Sequence, residues 1–261
     1  MAKPTVDNAL WIRRPHPAAA PTIRLVCFPH AGGSASFFFP VSVALSGSGS
    51  GPVEVLAVQY PGRQDRRLDP CIDDIGALAE QIYAALRPWT DLPLAFFGHS
   101  MGAILAFEVA RLLEERDGIV LAMLFASGRR APSRHRDEDV HTRDDDALVA
   151  ELRQLSGTDD ALLGDEELLR MILPAMRSDY RAIETYRSVP GATVRCPITV
   201  LVGDDDAKST VAEARDWAGH TTSGCETRVF TGGHFYLTAH RAAVIETISE
   251  SLLRVAGPRS H

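Results

Sequence analysis

Leu94-Ala95-Phe96-Phe97-Gly98-His99-Ser100-Met101-Gly102-Ala103 is the stretch on which the fold turns. A short apolar run ends in a serine set between two glycines, and a helical pattern starts at Met101 and continues to Glu115. A strand-turn-helix junction of this kind has the form of a nucleophile elbow, whose turn is too tight for larger neighbours and lifts the serine hydroxyl clear of the sheet. Ser100 is therefore the candidate nucleophile. The same residue also suits a plain helix N-cap, its oxygen bonding a free amide of the first turn, so the surrounding pattern has to decide.

Six short apolar, β-branched-rich runs stand out: Ile23 to Phe28, Val53 to Tyr60, Leu94 to Phe97, Ile119 to Ala126, Ile198 to Val202 and Cys225 to Phe230. Most are almost continuously apolar, as parallel strands covered on both faces must be. Helical patterns at Ile75 to Leu86, Met101 to Glu115, Val211 to Ala218 and Ala242 to Leu253 alternate with them. That alternation predicts an α/β fold with a mostly parallel, doubly wound sheet. It breaks between about 127 and 195, where helical stretches at Asp144 to Leu155, Asp165 to Met176 and Ser178 to Tyr186 follow one another, with Pro174 marking a break or kink. A helical insertion there predicts a lid over the carboxyl edge of the sheet, where open α/β sheets bind ligands.

The 261 residues, 45% apolar and 23% charged, suit one domain spanning 1–261. A net charge of -7 argues against general nucleic-acid binding, which needs a basic surface. No apolar run has the length of a signal-peptide core or the ~18 residues of a membrane span, so a cytoplasmic protein without membrane contact is expected. Cys27, Cys71, Cys196 and Cys225 show no C-x-x-C spacing, which speaks against a zinc site or a disulfide framework.

A serine hydroxyl becomes a useful nucleophile when an imidazole takes its proton and a carboxylate orients that imidazole. After an elbow the acid and then the histidine follow in chain order. Of the nine histidines, His234 fits: it lies in Thr231-Gly232-Gly233-His234-Phe235, directly beyond a strand. His220 and His240 adjoin helical patterns and read as surface residues. Three aspartates, Asp204, Asp205 and Asp206, follow Gly203 at the end of Ile198 to Val202, and spacing alone admits any of them as the orienting acid. The oxyanion hole calls for the amide after the nucleophile, Met101, and one from the loop after an early strand. Phe28-Pro29-His30-Ala31-Gly32-Gly33 is that loop, with Ala31 as the second donor.

With these residues in place the chain resembles the type II thioesterases, stand-alone α/β-hydrolases that accompany polyketide and nonribosomal peptide synthases. The resemblance covers nearly the whole chain. It rests on Leu25-Val-Cys-Phe-Pro-His-Ala-Gly-Gly-Ser-Ala-Ser36, Gln59-Tyr-Pro-Gly-Arg63, Phe97-Gly-His-Ser-Met-Gly-Ala103, Leu173-Pro-Ala-Met-Arg-Ser-Asp-Tyr180 with Glu184 and Tyr186, and Gly232-Gly-His-Phe235. It implies an α/β-hydrolase fold with a helical lid. The family pattern G-x-x-D, starting at Gly203, implies Asp206 as the acid; Ala207 stands where the family often has proline, which keeps Asp205 as an alternative. It further implies hydrolysis of acyl thioesters from the phosphopantetheine arm of acyl or peptidyl carrier proteins, to clear stalled or aberrant groups. No metal or redox cofactor is implied, the phosphopantetheine being part of the substrate, and a monomer is expected. Met1 and the lack of an upstream carrier-type G-x-D-S segment favour a stand-alone enzyme over a cyclising domain. The competing readings are an acyl-CoA thioesterase or carboxylesterase on the same scaffold and a noncatalytic binding protein.

Two further expectations follow from the residues. Leu152, Leu169, Ile172 and Met176 of the insertion are positioned to line an acyl channel or to pack the lid. Arg129, Arg130, Arg134 and Arg136 form either a carrier-docking patch or a solvated loop balanced by Asp137-Glu138-Asp139.

Overall fold

Strand residues of period two send alternate side chains to opposite faces of a sheet, and here both faces are covered. In the computed structural model, which describes residues 8–46, 53–155 and 166–256, the strands are β1 (Ile12–Arg13), β2 (Ile23–Phe28), β3 (Val53–Val58), β4 (Leu94–His99), β5 (Met123–Ser127), β6 (Ile198–Gly203) and β7 (Cys225–Phe230). Their order is β1-β3-β2-β4-β5-β6-β7. All neighbours run parallel except β1, which pairs antiparallel with β3 through Ile12 and Arg13. Strands β2 to β6 are buried along their whole length, whereas β7, at the edge, is only partly covered.

The helices are α1 (Asn8–Trp11), α2 (Phe39–Ser46), α3 (Ile75–Leu86), α4 (Met101–Asp117), α5 (Asp145–Leu155), α6 (Glu166–Thr185), α7 (Val211–Arg215), α8 (Tyr236–Ala239) and α9 (Arg241–Ala256). On one face Val26, Phe28, Leu56 and Phe96 pack with Ile82 of α3 and Leu105 and Phe107 of α4. On the other, Leu25, Val55, Phe97 and Phe125 pack with Val244 and Ile248 of α9. Strand β2 is flanked by β3, which follows it, and by β4, which comes after β3, so the winding reverses between β2 and β4. Open α/β sheets carry their ligand site at the carboxyl end of such a reversal. The loop after β2 and Ser100 after β4 both emerge there.

The expected α/β-hydrolase sheet is thus the observed one, with short additions, among them β1, α1, α2 and α8, that the sequence patterns do not announce. Between β5 and β6 the described residues hold helices and turns and no named strand, as expected. The expected break at Pro174 is absent. Helix α6 runs through it unbroken for 20 residues: Pro174 lies on the exposed side, where a carbonyl left without an amide donor is open to solvent, while Leu173, Met176 and Tyr180 are buried. These residues, with Val140, Leu148, Val149 and Leu152, form a small core between α5 and α6. Leu152 and Met176 belong to it, and Leu169 and Ile172 pack against it, so lid packing is the contact seen for all four. The start of the stretch expected from Asp165 lies outside the described residues.

All four cysteines are free thiols, with Cys27 and Cys196 fully buried. Among the described residues no group of three or more His, Cys, Asp or Glu could hold a metal ion, and no helix is long and apolar enough to cross a membrane.

Candidate active site

Ser100 sits between β4 and α4 with φ 55° and ψ -119°, a conformation that non-glycine residues rarely adopt and that marks functional turns. The flanking glycines are sterically required. A Cβ on Gly98 would lie 2.1 Å from the Gly102 carbonyl oxygen, and one on Gly102 would lie 2.1 Å from that of Phe28. The Ser100 amide donates to the Ser127 carbonyl at 2.8 Å, tying the turn to β5. Its hydroxyl makes no capping bond to the helix. The N-cap alternative is therefore not what the chain adopts.

The hydroxyl instead faces His234. Ser100 Oγ lies 3.0 Å from His234 Nε2, and His234 Nδ1 lies 3.0 Å from both Asp206 carboxylate oxygens. A carboxylate only accepts, so Nδ1 carries the ring proton and leaves the Nε2 lone pair toward the serine. His234 and Asp206 are 4% and 5% exposed. Asp206 also accepts from the Lys208 amide at 2.8 Å, which fixes its rotamer.

The neighbouring aspartates do other things. Asp204 accepts from the Gly232 amide at 2.8 Å, and the Asp205 amide donates to the Gly232 carbonyl at 3.0 Å, so the two acid-loop residues hold the histidine loop while their side chains stay exposed. A Cβ on Gly203 would strike the Gly232 carbonyl at 2.3 Å. The two loops touch backbone to backbone.

Two other imidazoles back the site. His99, within the elbow, has its ring centroid 5.1 Å from that of His234, and its Nδ1 lies 2.9 Å from Ser127 Oγ. His30 stands 5.9 Å from His99, edge-on to Phe37 and Phe235. Burial, followed by the proximity of His234, holds His99 well below the usual imidazole range and His30 down to about 3. Both stay neutral at ordinary pH. Neither residue had been singled out for a role; His99 sits inside the elbow and His30 inside the loop after β2, which was the available signal.

The loop after β2 is held by residues distant in sequence. Gln59 Oε1 accepts from the Ala35 amide at 2.8 Å, and Tyr60 donates to the Pro29 carbonyl at 3.0 Å. Arg63 donates to Asp179 through both terminal nitrogens, at 2.7 and 2.9 Å, and to the Gly33 carbonyl at 3.1 Å. Asp179 in turn accepts from the Gly32 amide at 2.8 Å. The pair is buried, with side chains 7% and 1% exposed. Met176 closes over the same loop: a Cβ on Gly32, whose φ is +74°, would meet its side chain at 2.7 Å. Ala31 packs against the small core of the insertion. The first amides of a helix lack intrahelical acceptors, and Met101 opens α4. Glu184 accepts from the Val140 and His141 amides, both at 3.1 Å, and Tyr186 donates to Glu108 of α4 at 2.5 Å. The quoted motifs thus brace the insertion against the loop and the elbow helix.

The four arginines do not form an open patch. Arg129 and Arg130 are 8% and 2% exposed; Arg130 pairs with Glu138, Arg134 with Asp216 at 2.5 Å, and Arg136 with Glu213 at 2.5 Å. Their partners come mainly from the α7 region and not from the adjacent acidic triplet, which contributes only Glu138. His220, expected at the surface, is 5% exposed among Trp217 and Phe107 and is bonded to the Ala192 carbonyl at 2.8 Å. It is a core histidine. His240 bonds the Thr231 carbonyl at 2.9 Å and lies away from the serine line.

The thioesterase domain family model matches residues 23–252. The chain is 55% identical over 250 residues to the probable cadicidin biosynthesis thioesterase of Streptomyces griseus, covering 95% of this chain and 68% of that one. It is 52% identical over 253 residues to thioesterase PikA5 of Streptomyces venezuelae, covering 97% and 89%. Among solved structures, the type II thioesterase BorB from the borrelidin biosynthetic cluster superposes with a TM-score of 0.86 at 52% identity, over 93% of this chain and 98% of that one. With the elbow, the sheet order and this agreement along the whole matched length, the chain belongs to the thioesterase family, and within it to the type II thioesterases.

Proposed function

We propose that this thioesterase cleaves acyl groups from the phosphopantetheine arm of acyl or peptidyl carrier proteins in polyketide or nonribosomal peptide assembly, clearing stalled or aberrant chains. The observation that carries the reading is the unbroken line from Ser100 Oγ through His234 to Asp206, 3.0 Å at each joint, in a chain of this family.

Ser100 attacks the thioester carbonyl while His234 Nε2 takes its proton. Asp206 holds the imidazole in the tautomer that can accept and offsets the positive charge that forms on it. Neutral His99 and His30 behind it add no like charge at that moment. The Met101 and Ala31 amides receive the oxyanion of the tetrahedral intermediate. Collapse breaks the carbon-sulfur bond, and His234 returns its proton to the departing thiolate. A water, deprotonated by the same imidazole, then attacks the Ser100 ester and releases the carboxylic acid. Every step is acyl or proton transfer, so no metal or redox cofactor enters. We further propose that the chain works as a single domain and a monomer in the cytoplasm, with the insertion at about 127–195 as its lid.

The test is a hydrolysis panel at matched acyl length: carrier-bound thioester, acyl-CoA and oxygen ester, with fluorophosphonate labelling in parallel. The carrier-bound thioester should give the highest kcat/KM, and the label should map to Ser100. A higher kcat/KM for the oxygen ester would make the chain a carboxylesterase, and failure to label would remove the serine mechanism.

A further inference from the structure

Within the arginine cluster one charge is left unanswered. Arg129 is 8% exposed, its Nε is sealed from solvent without a partner, and its guanidinium enters none of the hydrogen bonds or ion pairs found among the described residues. Burial, and then the charge of Arg130, push its proton affinity down to about 9. An arginine nevertheless keeps its proton. The Glu138 carboxylate acts on Arg129 through space but is bonded to Arg130 and Lys208, and a desolvated guanidinium with no bonded partner is an arrangement that folded chains avoid unless an anion completes it.

Arg129 opens onto a cavity of about 300 Å³ bounded by Ile104 of α4, the loop 131–135 and the segment 186–191 that leaves α6. Its lining includes Ser133, Arg134, His135, Arg187 and His220, and no aspartate or glutamate among the described residues, in a chain whose net charge is -7. Arg134 is answered by Asp216, whereas Arg187 donates only to the Glu184 and Tyr186 carbonyls, each at 2.9 Å. Among the described residues, two guanidinium groups therefore face this space with no carboxylate bonded to them. None of Ser100, His234 and Asp206 lines the cavity, but two of its walls continue along the chain into the site. Ile104 is about one helical turn along α4 from Ser100, and Gly128, the residue before Arg129, lies so close behind the site that a Cβ there would meet the His99 ring at 2.5 Å and the His234 carbonyl at 3.5 Å.

We propose that this cavity is a phosphate site, and that it holds the 4′-phosphate of the pantetheine arm while the thioester lies at Ser100. This rests on the substrate reading given above. The ligand has to be anionic, because it completes Arg129 and meets cations and neutral donors. It has to be a fixed group at some remove from the reacting carbonyl, because none of Ser100, His234 and Asp206 is part of the cavity wall. On a carrier-bound substrate the phosphodiester is the fixed charge between the carrier and the thioester; coenzyme A carries the same 4′-phosphate within a diphosphate.

The experiment uses the full chain and one acyl group presented on pantetheine, on 4′-phosphopantetheine, on coenzyme A and on a carrier. The 4′-phosphopantetheine thioester should exceed the pantetheine thioester in kcat/KM by about tenfold or more, the size expected of one charge-assisted hydrogen-bonding group, with the difference in KM. Arg129→Gln should reduce that ratio to near one. Arg116→Gln, which removes an exposed charge at the far end of α4, should keep it. Inorganic phosphate should raise the Tm of the wild type and leave that of Arg129→Gln unmoved. If Arg129→Gln fails to fold, Arg187→Gln carries the comparison and should lower the ratio severalfold. Equal kcat/KM for the two pantetheine thioesters in the wild type, a ratio retained in both arginine variants, or a preference for coenzyme A with none for 4′-phosphopantetheine would each overturn the proposal. Absence of hydrolysis of every thioester would instead contradict the thioesterase reading.

Discussion

Asp179→Asn is the substitution that most sharply separates bracing from chemistry. Asp179 lies 116 positions from Arg63, and the two join α6 to the loop after β2 through two charge-assisted bonds and the Gly32 amide. The asparagine keeps the shape and one acceptor but leaves the Arg63 guanidinium, 7% exposed, without a counter-charge. Breaking a buried pair by neutralising one partner costs about 3 kcal/mol or more. For a chain of this size, that lowers Tm by roughly 6–12 °C at 2–4 °C per kcal/mol. Because Gly32 directly follows Ala31, the proposed second oxyanion donor, kcat should fall further than KM rises, in the fraction that remains folded. Thermal unfolding and steady-state hydrolysis of a carrier thioester, on Asp179→Asn, Arg63→Met and the double variant, give the full cycle. The double variant should be clearly more stable than the sum of the single losses, since no lone charge is left buried. Additive losses, or a Tm within a degree of wild type for Asp179→Asn, would refute the coupling.

Other outcomes follow from the same geometry. Asp206→Asn should lower kcat about 10⁴-fold, because the amide can hold the wrong tautomer and cannot offset the imidazolium, while Asp205→Asn, exposed and facing away, should stay within about twofold; steady-state kinetics on both settles the acid. Gly102→Ala should abolish folding or activity, since its Cβ would meet the Phe28 carbonyl at 2.1 Å; circular dichroism and hydrolysis of a small thioester report on each. Stability should fall on acidification: His30 and His99 remain neutral in the folded chain while the unfolded chain takes up protons below the ordinary value of 6.5. Two such groups give a slope of up to about 2.7 kcal/mol per pH unit below pH 6, present in full above that range and lost toward pH 3. Urea unfolding between pH 4.5 and 7.5 should show a shallower slope, by about one proton, in His99→Gln.

What was legible in the sequence had short-range signatures. Ser100 and His234 lie at strand ends among glycines whose absent Cβ atoms can be argued from the turn alone. The parallel sheet announces itself in continuous apolar runs. The choice among Asp204, Asp205 and Asp206 was not legible from spacing, because adjacent residues in one turn point in different directions; the Asp206 bonds to His234, the burial of Asp206 and the Asp204 bond to Gly232 separate them. Pairings across long separations were equally hidden. Arg63 and Asp179 stand in two motifs that carry the family resemblance, yet nothing local says that they meet. The arginine cluster reads as a charged surface until its partners, Glu213 and Asp216, arrive from beyond the insertion. Strand β1 is two residues long and has no periodicity to read. The continuity of α6 through Pro174 depends on which side of the helix is buried, which is a tertiary property.

The most direct measurement is single-turnover deacylation of an acyl-carrier protein followed by intact mass of both proteins, for the wild type and Ser100→Ala. The wild type should strip the acyl group from the carrier, with a transient adduct of the acyl mass mapping to the peptide that contains Ser100. Ser100→Ala should leave the carrier acylated and carry no adduct while keeping the wild-type Tm within a few degrees. Deacylation by Ser100→Ala at near the wild-type rate would contradict the account.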